Sequence, residues 1–191
     1  NKKELSKYRV VQSEDLPLTQ AGVTFEVERF AFTANNLTYF MMGDKLGYWQ
    51  FFPPINSHST KNNNEENWGV IPVWGIGKVT ASSVEGVDIG SRYFGYFPPA
   101  THLHMDSVTF AQNNLIDTSA HRRPLPQGYN LYRPLDSHAD EMQTHRESLQ
   151  MLLWPLYITS YCLWDLIDQC NMPKPKQVIV LSASSKTSLG L

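Results

Sequence analysis

The chain has 191 residues, 41% hydrophobic and 18% charged, which gives one domain, or one domain plus a piece of a second, and excludes wholesale disorder. A net charge of −2 leaves none of the basic surplus that nucleic acid or an anionic membrane would select. The longest apolar stretch, Met151 to Trp164, is interrupted by Pro155 and is too short to span a bilayer. The start, Asn1-Lys2-Lys3-Glu4, is polar and shows no signal peptide, so a cytoplasmic protein without membrane or nucleic-acid partners is expected.

The first elements predict a β-rich region. Tyr8 to Gln12 is a short strand candidate, and Ser13 to Gly22, with Pro17 and Gly22, reads as a turn-rich connection. Val23 to Phe32 alternates, with Val23, Phe25 and Val27 on one face and Thr24, Glu26 and Glu28 on the other, as in a half-buried strand. Thr33 to Gly43 opens on a Thr/Asn cluster suited to a helix cap and then becomes apolar, predicting a short helix or turn. His58 to Asn67 is polar and low in complexity, a surface loop or disordered excursion.

Trp68 to Ser83 predicts two strands, around Ile71–Pro72 and Gly75–Ala81, with Gly75 and Gly77 allowing a bulge or close packing. Gly86, Gly90 and Gly95 mark turns around a strand from Arg92 to Phe97, and Thr101 to Met105 is another. Short strands at this density argue for a small β-barrel or sandwich.

The character changes after about residue 136. Glu141 to Asp168 has helical spacing, with Leu149, Leu152, Leu153 and Leu156, then Leu163, Leu166 and Ile167. Pro155 predicts two helices or a kink there, and Pro173 and Pro175 end the second. Cys162 and Cys170 lie about two turns apart, roughly 12 Å of rise, too far for a disulfide within one helix, and read as buried thiols. Gln177 to Leu181 is apolar and β-branched without alternation, as in a central strand of a parallel sheet. Ser182 to Ser188 then supplies a turn of small residues, and Leu189-Gly190-Leu191 follows as the start of a helix. Strand, turn and helix start together predict the opening of a doubly wound nucleotide-binding domain. With no initiator Met and an apolar last segment, both ends read as cut.

Several segments in this order resemble the medium-chain dehydrogenase/reductase superfamily. Asp15 to Leu18 followed by Gly22 to Glu28 is similar to its "P…GEVLVRV" segment, and Ala34 to Gly43 sits where quinone reductases carry "N-x-x-D…G". Pro72 to Val79 resembles "P-x-x-x-G-x-G-x-V", and Gly86 to Gly95 resembles "G-V-x-x-G-D-R-V-x-G". Ile158 to Tyr161 resembles "L-T-A-Y", and Val178 to Ser188 occupies the place of "V-L-V-x-G-A-x-G-G-V-G". Within that superfamily the chain is most similar to an uncharacterised bacterial family, a domain of unknown function, through Gly95–Met105, His121–Pro134 and the serine-rich loop.

The resemblance implies an α+β chain: a GroES-like β-barrel over residues 1–136 with a flexible loop at 58–67, then connecting helices and the start of a truncated Rossmann domain over 137–191. It implies a zinc-independent, NADPH-dependent reductase of the quinone/enoyl type, passing hydride to an activated alkene, quinone or carbonyl, homodimeric at full length, with a small-molecule substrate. The zinc members' Cys and Gly-His-Glu are missing, and no cysteine cluster offers a structural zinc site. The fingerprint glycines, which let the backbone approach a pyrophosphate, give way to Ser184, Ser185, Lys186 and Ser188. Ser182, Ser184, Ser185, Lys186, Thr187 and Ser188 are therefore the cofactor candidates, and Lys186 favours NADP over NAD.

Each site has a plainer alternative. The serine loop is a phosphate site or a strand-to-helix turn with an N-cap serine. Asn36 and Tyr39 are the catalytic candidates, as carbonyl-orienting and proton-donating groups, or a turn-capping Asn and a core Tyr. Arg122, Tyr132 and Arg133 are substrate-binding candidates, an arginine clamping a carboxylate or phosphate, or else pairing towards Asp140 and Glu141. His102 and His104 share a strand face, and with His121 form either a metal trio or ordinary histidines. The aromatics from Tyr48 to Phe52, with Trp74 and Tyr93 to Phe97, line an apolar pocket or fill the barrel core. A non-catalytic acyl- or nucleotide-binding protein that retains the fold is the other functional reading.

Overall fold

The computed structural model describes residues 1–12, 17–54, 67–170, 173–182 and 184–190. The chain is an α+β fold that divides into two compact units, Asn1–His138 and Ala139–Leu191.

The first unit holds β1 (Val23–Ala31), α1 (Ala34–Met41), β2 (Val73–Ser82), β3 (Arg92–Phe97), β4 (His102–Met105), β5 (Val108–Ala111), β6 (Asn114–Asp117) and β7 (Leu131–Leu135). Its seven strands form one sheet in the order β4-β1-β2-β3-β7-β6-β5, with every neighbouring pair in register antiparallel. The two edge strands, β4 and β5, are joined through Asp106 and Ser107, and Ser107 bridges to Ala21 while Val108 N donates to Ala21 O at 2.9 Å. The sheet is thereby a nearly closed barrel. Phe25 of β1 stacks on Tyr132 of β7 at 5.8 Å and meets Phe97 of β3 edge-on at 5.6 Å. Rings on strands this far apart in the sheet touch only because the face they share curls onto itself.

Two glycines make that interior possible. A Cβ at Gly95 would lie 2.3 Å from the Tyr132 ring, and one at Gly77 would lie 2.8 Å from the Phe97 ring. The close packing expected near Gly75 and Gly77 is found. Only one strand runs there, however, because β1 and β3 pair along both edges of β2 and carry it through the glycines. Residues around Ile71–Pro72 are not strand. On β1 the register slips between Val27 and Arg29, leaving Glu28 as the extra residue. Its carboxylate meets the buried Arg92 guanidinium of β3 at 2.9 Å.

Other expectations need correction. Tyr8 to Gln12 is not a strand: Tyr8 and Val10 are 86% and 94% exposed, and no strand pairs with them among the described residues. Ser13–Leu16, and residues 58–66 of the polar loop, lie outside the described residues. The β5–β6 hairpin turns through Gln112 and Asn113, both left-handed (φ 51° and 65°), a primed turn without the usual glycine.

In the second unit α2 is one continuous helix, Glu141–Gln169, rather than two. Asp140 caps it, its carboxylate accepting from Gln143 N at 2.7 Å. Several turns on either side of Pro155 outweigh the one hydrogen bond its ring nitrogen cannot donate. Cys162 is exposed and Cys170 half-buried, so neither is the buried thiol expected. Gln177 to Leu181 is not assigned as strand, and Val178 to Leu181 are 40–82% exposed. An extended run becomes a sheet strand only beside a neighbour that takes its backbone hydrogen bonds, and no described residue does so. The short α3 (Lys186–Leu189) follows. No helix among the described residues is long and apolar enough to cross a membrane.

Candidate functional site

Alternation along β3 sorts its rings into two layers. Tyr93 and Phe97 join Phe25 in the barrel interior, whereas Phe94 and Tyr96 face outward with Trp74, the register partner of Tyr96 on β2. Three short elements cover this outer face: α1, the turn Tyr48–Gln50 and the turn Gln127–Tyr129. They bring Tyr39, Tyr48 and Tyr129 against Tyr96. Ring centroids lie 5.7 Å from Tyr39 to Tyr96, 4.7 Å from Tyr129 to Tyr96, 4.6 Å from Tyr39 to Tyr48 and 5.9 Å from Tyr48 to Tyr129. Four phenols thus share one apolar environment under the helix.

Local chemistry sets α1 in place. Thr33 and Asn36 form a capping box: Thr33 Oγ1 accepts from Asn35 N at 3.2 Å and Asn36 Oδ1 accepts from Thr33 N at 2.6 Å. Asn36 Nδ2 donates to Pro72 O at 2.8 Å, tying the helix to the entry of β2. One turn on, Tyr39 Oη accepts from Asn35 Nδ2 at 2.7 Å and from Trp74 Nε1 at 3.1 Å. Both catalytic candidates are buried, and the fold uses their polar atoms. Burial pushes the Tyr39 phenol up to about 12, partly offset by the hydrogen bonds from Trp74 and Asn35.

Tyr96 is fully buried, and its hydroxyl has no hydrogen-bond partner. The Tyr39 hydroxyl is its polar neighbour. Desolvation, with the neighbouring phenols behind it, pushes its ionisation far above the ordinary tyrosine range, and burial does the same to the half-buried Tyr129. Tyr129 shares its hydroxyl with Tyr48 at 3.2 Å. Tyr39, Tyr96 and Tyr129 therefore stay neutral at any ordinary pH.

Beside it lies a buried ion pair. Arg122 Nε meets Asp117 Oδ2 at 3.1 Å and also donates to Phe51 O at 3.3 Å, while Nη1 donates to Tyr132 Oη at 3.3 Å. The guanidinium stands 4.5 Å from the Phe52 ring centroid. Tyr132 Oη in turn donates to Tyr96 O at 2.5 Å. Arg122 and Tyr132 are thus core groups with internal partners. Arg122 pairs with Asp117 because the turn at Ala120–Arg122 points it back under Phe51 and Phe52. Arg133 lies on β7 opposite Phe94, its charged form disfavoured by burial.

The histidines do not converge. His102 contacts Thr101 Oγ1, His104 contacts Thr24 Oγ1, and His121 is exposed. No group of three or more His, Cys, Asp or Glu residues among the described residues could hold a metal ion.

In the second unit, Ser182 takes a left-handed backbone (φ 59°), and Ser185 N donates to Ser182 O at 2.8 Å. Ser185 caps α3, its Oγ accepting from Ser188 N at 3.1 Å and contacting Ser188 Oγ at 2.7 Å. Ser184 is exposed, and Thr187 O accepts from Ser160 Oγ of α2. Ala183 and the Lys186 side chain lie outside the described residues.

A family profile matches residues 30–191, most of the chain, including α1, every strand from β2 to β7, and the serine turn. The chain belongs to the family described as protein of unknown function (DUF2855). No curated protein and no solved structure matches it. The DUF2855 match takes in the whole tyrosine layer, the Arg122–Asp117 pair and Ser182–Ser188.

Sequence reasoning named Tyr48 and Tyr96 among the aromatics but gave no weight to Tyr129 or Asp117. The signal for Tyr96 was available, since alternation from Arg92 puts it with Phe94 on the face opposite Phe97. Tyr129 and Asp117 reach their partners through loops, where no periodicity reports direction.

Proposed function

We propose that this DUF2855 chain carries the substrate-side barrel of a zinc-independent, NADPH-dependent reductase related to medium-chain quinone and enoyl reductases, reducing an activated alkene, quinone or carbonyl. In this reading the barrel is GroES-like and the serine turn opens a Rossmann domain. The observation behind it is the order of parts: a nearly closed antiparallel barrel, a long helix, an apolar run and a turn with a left-handed residue leading into a capped helix. Ser182 adopts the backbone for which phosphate loops commonly use glycine.

The exposed donors of the turn support this reading. The first N–H groups of α3 have no intrahelical acceptor, and Ser182 and Ser184 are exposed. Ser182, Ser184 and the backbone at Lys186 and Thr187 would hold the phosphates, whereas the Ser185 and Ser188 hydroxyls are committed to the cap. NADPH, when bound, supplies the hydride. Asn36 and Tyr39 act in this account as positioning residues: Asn36 anchors α1 to β2, and Tyr39 fixes the Trp74 indole beneath it. Homodimerisation and a cytoplasmic setting belong to the same proposal.

The burial of Asn36 and Tyr39 favours a second reading, a non-catalytic binding protein on the same fold. Following NADPH oxidation at its absorbance band with enones, quinones and aldehydes, using the full-length protein, separates the two. Turnover with any of them supports the reductase. Saturable NADPH binding without turnover supports the binding protein.

A further inference from the structure

Ser160 uses its hydroxyl differently from Ser148 and Thr159 on the same helix. Ser148 donates to Thr144 O at 2.8 Å and Thr159 to Pro155 O at 3.0 Å, each four residues back along α2. Ser160 has the same option at Leu156 O, but that distance is 3.3 Å, whereas Thr187 O of α3 lies at 2.5 Å. One hydroxyl carries one proton, and the shorter contact takes it. The Ser160 side chain is thus buried and joined to a residue 27 positions further along the chain.

Gly190 makes this contact possible. Its φ of −86° is open to any residue, so glycine is not there for backbone freedom. A Cβ at this position would lie 3.1 Å from Ser160 Oγ and 3.3 Å from Ser160 Cβ, so glycine lets α3 come this close to α2. The short helix needs outside support, because 4 residues make too few internal hydrogen bonds to hold a turn in water. Ser185 supports it by accepting from Ser188 N. Ser160 supports it at Thr187 O, which also accepts from Gly190 N at 3.2 Å.

We propose that Ser160 is a positioning residue for the dinucleotide: by holding Thr187 O it keeps the Ser182–Ser188 turn ordered, with its exposed donors available to the pyrophosphate. The inference rests on the reductase reading above. A turn that is ordered only part of the time binds more weakly in proportion to that fraction, so losing this one hydrogen bond weakens binding roughly three- to tenfold.

The test pairs amide hydrogen exchange with NADPH titration in the full-length protein, comparing wild type with Ser160→Ala. Without nucleotide, the Ser188 and Gly190 amides of Ser160→Ala exchange roughly three to ten times faster, α2 and the barrel are unchanged, and NADPH binds more weakly by the same factor. Saturating NADPH returns both amides to the wild-type rate, because the ligand then orders the turn that Ser160 no longer holds. A merely structural fault in α2 would not be repaired at these amides. Gly190→Ala, whose added Cβ crowds Ser160 Oγ, shifts both readouts in the same direction and carries the test if Ser160→Ala fails to fold. NADPH affinity equal to wild type in the folded variant overturns the proposal and leaves the reductase reading standing. So does faster exchange along the whole of α2. Absence of NADPH binding in wild type overturns both.

Discussion

Replacing Tyr96 with Phe isolates the least expected feature of the barrel unit, a fully buried hydroxyl with no partner. Leaving a polar group in this state costs about 1–3 kcal/mol, which the substitution removes. Against this, one oxygen's contacts are lost at about 0.1–0.2 kcal/mol each, a few tenths to one kcal/mol in all. The Tyr96 backbone is untouched and still accepts from Tyr132 Oη. The net expectation is a gain of about 1 kcal/mol, or roughly 3 °C in midpoint for a unit of this size. Thermal and urea unfolding followed by near-ultraviolet dichroism measure it. Tyr132→Phe is the contrast, because it leaves the Tyr96 carbonyl and an Arg122 N–H without their partner and should lose about 1–3 kcal/mol. A loss of 1 kcal/mol or more in Tyr96→Phe would refute the reasoning, since the hydroxyl would then have a partner in solution.

Arg122→Met strands the buried Asp117 carboxylate and should cost about 3–5 kcal/mol by urea denaturation, while adding Asp117→Asn should recover part of it. Gly95→Ala drives a Cβ into the Tyr132 ring and should cost about 1–3 kcal/mol in the same assay. Alkali tests the buried phenols: Tyr39 and Tyr132 both ionise near 12 in the fold, raised chiefly by burial, against about 10 when unfolded. The folded state then holds more protons than the unfolded one, so their contribution is intact below about pH 10 and is lost as pH rises towards 12. Midpoints measured from pH 8 to 12, with tyrosinate absorbance as the second readout, should fall together above pH 10, and a flat profile would contradict the assignment.

Much of the barrel was legible because alternation and glycine spacing report directly on a half-buried sheet. The strand Arg92–Phe97 and the Thr33 cap are cases where local chemistry and the fold agree. The β5–β6 hairpin escaped notice because Gln112-Asn113 makes a left-handed turn without glycine, and β7 because Pro134 marks it as a poor strand. Pro134 is tolerated beside Tyr93 because β7 pairs with β3 and β6 over only a few residues. At the candidate site the residue types were visible but their duties were not. Asn36 and Tyr39 stood out as polar groups in an apolar setting, and only the positions of Pro72 and Trp74 reveal that the fold engages them. Arg122 offered a clamp in sequence and found Asp117 in space, five residues earlier.

The central claim, that this chain is part of an NADPH-dependent reductase, is tested most directly by titrating the full-length protein with NADPH and with NADH while following nicotinamide fluorescence. The account predicts saturable binding that is tighter for NADPH and is weakened by Ser184→Ala and Lys186→Ala. No saturable binding of either nucleotide would contradict it.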